Sequence, residues 1–321
     1  MIPDYAAVFT AERRFVWGLC YRMTGCAADA DDLLQETFAR ALAQPPARTD
    51  APWRPWLVRV AINLSRDLLR RRRLRTHARG AWLPSPIDTG AEYTPPAYEL
   101  SSASHPSTEG RYELLESVSF AFLLALEALT PAQRAVLLLR DVFDYPVRET
   151  ADALGMSAAS VKTTHHRARR AMAAYERARC VPTAERQART ADALQRFMDA
   201  LQRDDIAAVE ALLADDVRSV SEGGEYAAGQ KPVVGRTRVA RLYRGLMQKG
   251  GAGASGRVRM FNGLPALELT FASPHARLAP RGVVGCDVDG EGRIRSLFIV
   301  LASRKLTALA DAAPFAAFPP P

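Results

Sequence analysis

Residues 80–111 read GAWLPSPIDTGAEYTPPAYELSSASHPSTEGR, and no helix or sheet strand crosses such a stretch intact. Proline lacks the amide hydrogen that both ladders need, and it pushes the residue before it out of helical dihedrals. Serine, glycine and carboxylates add little that can be buried. Residues 81–112 therefore read as an extended Pro/Ser/acidic linker. A chain of 321 residues divided there folds around more than one core.

Ahead of the linker, residues 1–80 have a helical texture. In DADDLLQETFARALA (29–43), Leu33, Leu34, Thr37, Phe38, Ala41 and Leu42 form one apolar side. Asp29, Asp32 and Glu36 lie on another side at i, i+3 and i+7, with Gln35 beside them. Pro45-Pro46 ends that helix, and a second begins near Trp53–Trp56 and runs through WLVRVAINLSRDLLRRRR.

Helical periodicity resumes after the linker and defines a segment over 113–179. Thr130 is placed to cap a helix whose first residue is Pro131. Further on, VRETADAL is followed by Gly155, suited to a sharp turn, and by Ser157 as the next N-cap. The second helix carries Ser160, Lys162, Thr163, His166, Arg167 and Arg170 as polar residues, while Val161 and Ala168 can pack inward. A small Ala151, the turn glycine and a β-branched Val161 occur together at helix-turn-helix spacing, in which the second helix enters a DNA major groove. The other reading is an αα-hairpin with a solvated basic face. His165 and His166 are adjacent, so they point to different faces and do not share a metal.

The formal net charge of +8 is clustered. Arg66, Arg70, Arg71, Arg72, Arg73, Arg75 and Arg79 crowd one stretch and Arg167, Arg169 and Arg170 another, which points to a polyanionic partner. Trp53 and Trp56 stand just ahead of the first cluster. Rings beside arginines suit single-stranded DNA, where bases stack while cations follow the phosphates. The spacing of Trp56 with Leu57, Val60, Leu64 and Leu68 assigns it to an apolar stripe, which leaves Trp53 as the stacking candidate.

Past a joint at Cys180–Glu185 the texture changes. Residues 190–213 read as two helices; then VRSVS, RVRMF, ALELTF, GVVGCDV and RIRSLFIVL read as strands, with a helix at 236–248 among them. Helices followed by strands predict an α+β domain over 185–306, and TALADAAPFAAFPPP (307–321) reads as a disordered tail. The fold class is thus multi-domain: two all-α domains followed by an α+β domain. The four cysteines lack metal-ligand spacing and read as free thiols; no metal or cofactor is expected. There is no signal-peptide pattern, and the longest apolar run, VSFAFLLAL, is too short to span a bilayer, so no membrane partner and a cytoplasmic location are expected.

These motifs, in this order, resemble bacterial RNA polymerase sigma factors of the extracytoplasmic-function type, over roughly residues 5–178. DADDLLQETFARA resembles region 2.2 of that family, RPWLVRVAINLSRDLLRRRR its regions 2.3 and 2.4, and LEALTPAQRAVLLLRDVFDYPVRETADALGMSAASVKTTHHRARRAM its region 4. The resemblance implies two partners, core RNA polymerase and promoter DNA. Asp29, Asp32, Gln35 and Glu36 would meet the β′ clamp helices. Trp53, Asn63, Arg66, Arg70 and Arg71 would hold the single-stranded −10 element. Ser160, Lys162, Thr163, His166, Arg167 and Arg170 would read the −35 duplex, with region 4 also meeting the β flap. Two departures stand out. A loop that is Phe-Arg-Gly-like in many members reads ARTD here, Ala47 to Asp50, and Thr164 and His165 replace a common arginine and aliphatic residue.

The last third resembles a SnoaL-like cone-shaped domain, which a subgroup of these factors carries. Trp82-Leu83-Pro84-Ser85-Pro86, SEGGEYAAGQKPVVG and Lys305-Leu306 stand where that subgroup has a Trp-Leu-Pro linker motif, a glycine-rich motif and a Lys-Leu ending. The resemblance implies regulation in cis in place of a separate anti-sigma protein. Trp82, Leu83 and Pro84 would dock on the loop holding Gly223 and Gly224. A small-molecule ligand of the domain stays open. An isomerase or cyclase-type activity would need convergent acid–base groups, whereas His275 lies in a loop-like stretch and Glu222 and Glu225 flank glycines. A plain helix-turn-helix regulator would leave the acidic helix without a purpose.

Overall fold

The structure, a computed structural model, describes residues 4–47, 51–75, 81–90, 111–226, 228–229, 231–250, 254–271 and 279–309. Arg79 and His275 lie outside the described residues. The described chain forms two compact units, one from within 1–78 and 94–181 and the other from within 79–93 and 182–321.

In the first unit Asp4 caps α1 (Tyr5–Thr24), which ends at Gly25 in the left-handed region, φ 63°. Helices α2 (Ala27–Ala43) and α3 (Arg54–Arg75) pack on it. Beyond the linker, Ser119 caps α4 (Phe120–Ala125) and a Thr130–Gln133 capping box starts α5 (Pro131–Leu137). The chain then widens into a π-helical turn at Leu138–Val142 and continues as α6 (Val147–Leu154), α7 (Ala158–Ala171) and the short α8 (Ala173–Glu176). The sequence divides this half into two domains, whereas the structure gives the two helical groups a common core. Phe15 of α1 meets Phe143 edge-on at 5.3 Å. The buried Arg22 donates to Ser117 Oγ at 2.7 Å and to the carbonyls of Gly18 and Leu114. Arg134, also buried, donates to the carbonyl of Met23 at 2.8 Å. Each buried guanidinium is thus satisfied by hydrogen bonds to groups within the same unit.

The second unit starts with α9 (Ala184–Gln202), capped by Thr183, and α10 (Ile206–Ala211), capped by Asp205. A six-stranded sheet follows in the order β2-β1-β6-β5-β4-β3. Its strands are β1 (Leu213–Glu222), β2 (Val233–Val234), β3 (Ala254–Phe261), β4 (Leu264–Phe271), β5 (Arg281–Val288) and β6 (Ile294–Val300). β1 and β6 are parallel; the other pairs are antiparallel. Helix α11 (Arg236–Gly250) precedes β3. Strand alternation sends Leu267, Val284, Cys286, Leu297 and Ile299 to one face, where they pack with Phe197 and Tyr243 of α9 and α11. β2 is two residues long, and its period is invisible in sequence.

Residues 81–90 depart from expectation most. They are extended but packed: Leu83, Pro84, Ser85, Pro86 and Ile87 are all buried. Prolines suit this, since they bring no amide hydrogen to satisfy. Ile87 and Asn262 exchange hydrogen bonds, and Thr89 N donates to Met260 O at 2.8 Å, so the strap adds a bridge beside Phe261 at the sheet edge. At the other end of the chain, Leu309 is buried, so the tail expected from residue 307 is packed through 309; residues 310–321 lie outside the described residues.

Candidate functional site

Helix α2 buries Ala30, Leu33, Thr37 and Ala41, and Thr37 stays in the core because its hydroxyl donates to Leu33 O at 2.7 Å. That stripe turns Asp32, Gln35 and Glu36 to solvent and leaves Asp29 half-buried. Glu36 pairs with Arg40 one turn on, at 2.8 Å. The expected apolar side is narrower than predicted. Leu42 is 61% exposed, and Phe38 is half-buried against Phe9. Asp31, which the sequence did not single out, accepts a hydrogen bond from Trp17 Nε1.

At the start of α3 the two tryptophans, Trp53 just before the helix and Trp56 in its first turn, exchange places. Trp53 is 7% exposed and lies edge-on to Tyr5, while Trp56 is half-buried. The buried stripe runs Trp53, Leu57, Val58, Ala61, Ile62, Ser65 and Leu69, one step round from the stripe read in sequence. Ser65 disguised it; its hydroxyl donates to Ala61 O at 2.7 Å and so sits in the core at little cost. Trp53 is therefore a core residue and offers no open ring face for a base. Asn63, Arg70 and Arg71 are exposed, with Arg70 3.0 Å from Asp67. Arg66 is half-buried, and its burial, with the neighbouring charge of Arg70, pulls its guanidinium below the usual arginine range.

Helix α7 follows Gly155 at φ 61° and is capped by Ser157, whose hydroxyl accepts from Ser160 N at 3.1 Å. Val161 and Ala168 are buried, and Ser160, Lys162, Thr163, His166, Arg167 and Arg170 are all exposed. The hydroxyls are engaged locally: the N-cap Ser157 donates to Ser160 Oγ, and Thr163 donates to Ala159 O. The cations thus remain the main outward groups. The sequence missed the role of His165, which faces inward and lies 2.7 Å from Asp141.

In the second unit the strap meets the glycine turn through groups outside the predicted set. Leu83 N donates to Glu222 Oε2 at 2.5 Å, Lys305 Nζ donates to Leu83 O at 2.6 Å, and Lys305 lies 4.4 Å over the Trp82 ring. Gly224 has φ 61°, and a Cβ there would stand 2.7 Å from that of Ala302. A Cβ on Gly223 would fall 2.4 Å from Tyr226 O. At the strap's far end Asp88 pairs with Arg259, which also reaches the fully buried Glu268 at 3.0 Å. Arg281 and Arg257 complete that cluster at 2.6 and 3.2 Å.

No group of metal-ligating side chains occurs among the described residues, and no described helix is long and apolar enough to cross a membrane. Residues 8–75 match the family model for sigma-70 region 2, and residues 119–172 that for sigma-70 region 4. The chain is 32% identical over 251 residues to the ECF RNA polymerase sigma factor SigJ of Mycobacterium tuberculosis, covering 77% of this chain and 75% of SigJ. It is 38% identical over 175 residues to SigG of the same organism, covering 52% of this chain and 47% of SigG. The crystal structure of M. tuberculosis SigJ superposes with a TM-score of 0.67 at 26% identity, covering 94% of this chain and 98% of that one.

Proposed function

We propose that this chain, which belongs to the extracytoplasmic-function family of RNA polymerase sigma factors, holds core polymerase through α2, the melted −10 strand through α3 and the −35 duplex through α7. As a member of that family it binds core RNA polymerase and promoter DNA and directs transcription initiation, under regulation by its C-terminal SnoaL-like domain.

The observation that carries the assignment is how exposed charge is divided among three helices of one unit. Asp32, Gln35 and Glu36 give α2 an acidic, hydrogen-bonding face suited to basic side chains of the β′ clamp helices. Arg70 and Arg71 beside Asn63 give α3 cations for the phosphates of a single strand. Lys162, His166, Arg167 and Arg170 give α7 an outward row for a major groove, while other surfaces of the same region meet the β flap.

The C-terminal domain acts in cis through the strap at 81–90 and not by catalysis. Polar groups buried among the described residues of its apolar core include Ser219 and Tyr243, 3.3 Å apart, and Cys286. Burial pushes the Tyr243 phenol up and the Cys286 thiol up to about 12, so both stay protonated at neutral pH and serve poorly as bases.

The test is a titration of core polymerase with the full chain and with Asp32→Ala. The variant should bind core more weakly by about 1–3 kcal/mol. Equal affinity would remove α2 from the interface. Failure of the unaltered chain to bind core would leave only a DNA-binding regulator.

A further inference from the structure

The inward stripe of α7 runs Val161, His165 and Ala168 and continues to Met172 at its C-cap. Val161, Ala168 and Met172 are buried and apolar, while His165 keeps 18% of its side chain exposed. Its Nε2–H donates to Asp141 Oδ1 at 2.7 Å. Asp141 is 3% exposed and belongs to the π-helical turn at Leu138–Val142, a geometry often found at functional positions. Its backbone carbonyl accepts from Arg111 N and Tyr112 N, both at 2.9 Å. Arg169, one turn past His165, brings its Nε to 4.0 Å from Asp141 Oδ2. A buried carboxylate anchored through its own backbone thus faces two cationic-type side chains of the recognition helix.

We propose that the His165–Asp141 pair is a positioning device that sets the specificity of −35 recognition. It fixes the rotation and depth of α7, so that Lys162, His166 and Arg167 meet base edges and not only phosphates. The inference rests on the assignment of α7 to the −35 duplex.

Physical ranges make the pair matter for discrimination more than for affinity. A hydrogen bond to a base edge fails within a few tenths of an ångström or a few tens of degrees, whereas attraction between a cation and the phosphates persists over about 10 Å. A small rotation of α7 therefore removes base reading first. An aliphatic side chain at 165 would fill the stripe but leave the Asp141 carboxylate buried without its imidazole. A group in that state must draw in water or move, and α7 moves with it. His165 and His166 divide the work, the first turned to the scaffold and the second to solvent.

The experiment uses holoenzyme assembled from core polymerase and the full chain. Binding is measured on a promoter with its matched −35 element and on one with that element scrambled. His165→Leu should lower the matched-to-scrambled ratio roughly tenfold, leaving scrambled binding and its salt slope unchanged. His165→Gln, which keeps an N–H donor, and Asp141→Asn, which keeps an acceptor, should hold the ratio within about twofold of the parent. If His165→Leu folds poorly, His165→Ala replaces it with the same expectation. An unchanged ratio in the leucine or alanine variant overturns the proposal. So does an equal loss on both promoters, or a glutamine variant as impaired as the leucine one. Lys162→Ala and Arg167→Ala go through the same assay. If they too change nothing, α7 does not read the −35 element. If they weaken binding while His165→Leu keeps the ratio, only the positioning role fails.

Discussion

Glu268 concentrates the electrostatics of the C-terminal domain in one side chain. Burial alone would raise its carboxyl, but hydrogen bonds from Arg281 and Arg259, the charge of Arg281 and the bond from Arg257 outweigh that and hold it below the ordinary value of 4.5. The folded group is the stronger acid, so its stabilisation is fully present above the unfolded value and is lost as pH falls through the lower folded one. Glu268→Gln should cost about 3 kcal/mol at neutral pH, leaving three arginines together without their shared anion. It should also flatten the acid limb of the domain's thermal midpoint against pH; an acid limb identical to the parent's would show that Glu268 does not carry it. Gly224 is a second sensitive residue. Its φ of 61° and the nearby Ala302 Cβ make Gly224→Ala destabilising by about 1–2 kcal/mol, read as a lower melting point. Residue identity announced some of these sites and hid others. Two adjacent glycines flanked by acids flagged the turn at 223–224. Nothing in sequence flagged Glu268, whose three arginine partners come together only when β3, β4 and β5 are in register.

At the scale of elements, legibility follows whether local chemistry decides the outcome. Helix α7 was legible because Gly155 and Ser157 fix its start, whatever it packs against. The buried face of α3 was not. Trp53 and Trp56 both fit an amphipathic pattern, and the choice between them is made by Tyr5 and the packing on α1, with a hydroxyl-bearing Ser65 inside the stripe. The strap at 81–90 misled for the opposite reason. Its prolines mark absence of a helix, which was right, but composition does not show that Leu83 and Ile87 find a sheet to cover. Its hydrogen bonds from Leu83 to Glu222 and from Ile87 and Thr89 to the β3–β4 hairpin predict slow amide exchange at those residues. Exchange as fast in the full chain as in one lacking 185–321 would show that the strap is not held by the domain, and that cis regulation takes another route. For α7, Lys162→Ala and Arg167→Ala should weaken −35 binding without touching affinity for core. A loss uniform across sequences, with the salt slope lower by about one unit, marks a phosphate contact; a selective loss of about 1–3 kcal/mol marks a base contact.

Across the whole molecule, the motifs in sequence foretold the order of sigma-70 regions 2 and 4 better than they foretold the packing. Yet Arg22 and Arg134, polar residues with no reason in sequence to be buried, tie the two helical groups into one core. The partners that join the groups, Ser117 Oγ and Leu114 O for Arg22 and Met23 O for Arg134, lie far along the chain, which no local period reveals. The central claim is that the chain gives core polymerase a promoter preference, and run-off transcription tests it most directly. Core polymerase is combined with the full chain, with Asp32→Ala, with Lys162→Ala/Arg167→Ala, and with a chain ending near Arg179, on a library of promoters. The full chain should yield transcripts from a restricted set sharing −35 and −10 elements, both variants should lose them, and the shortened chain should change their amount or selection. Transcripts spread over the library as with core alone, or none from the full chain on any promoter although it binds core, would contradict the account.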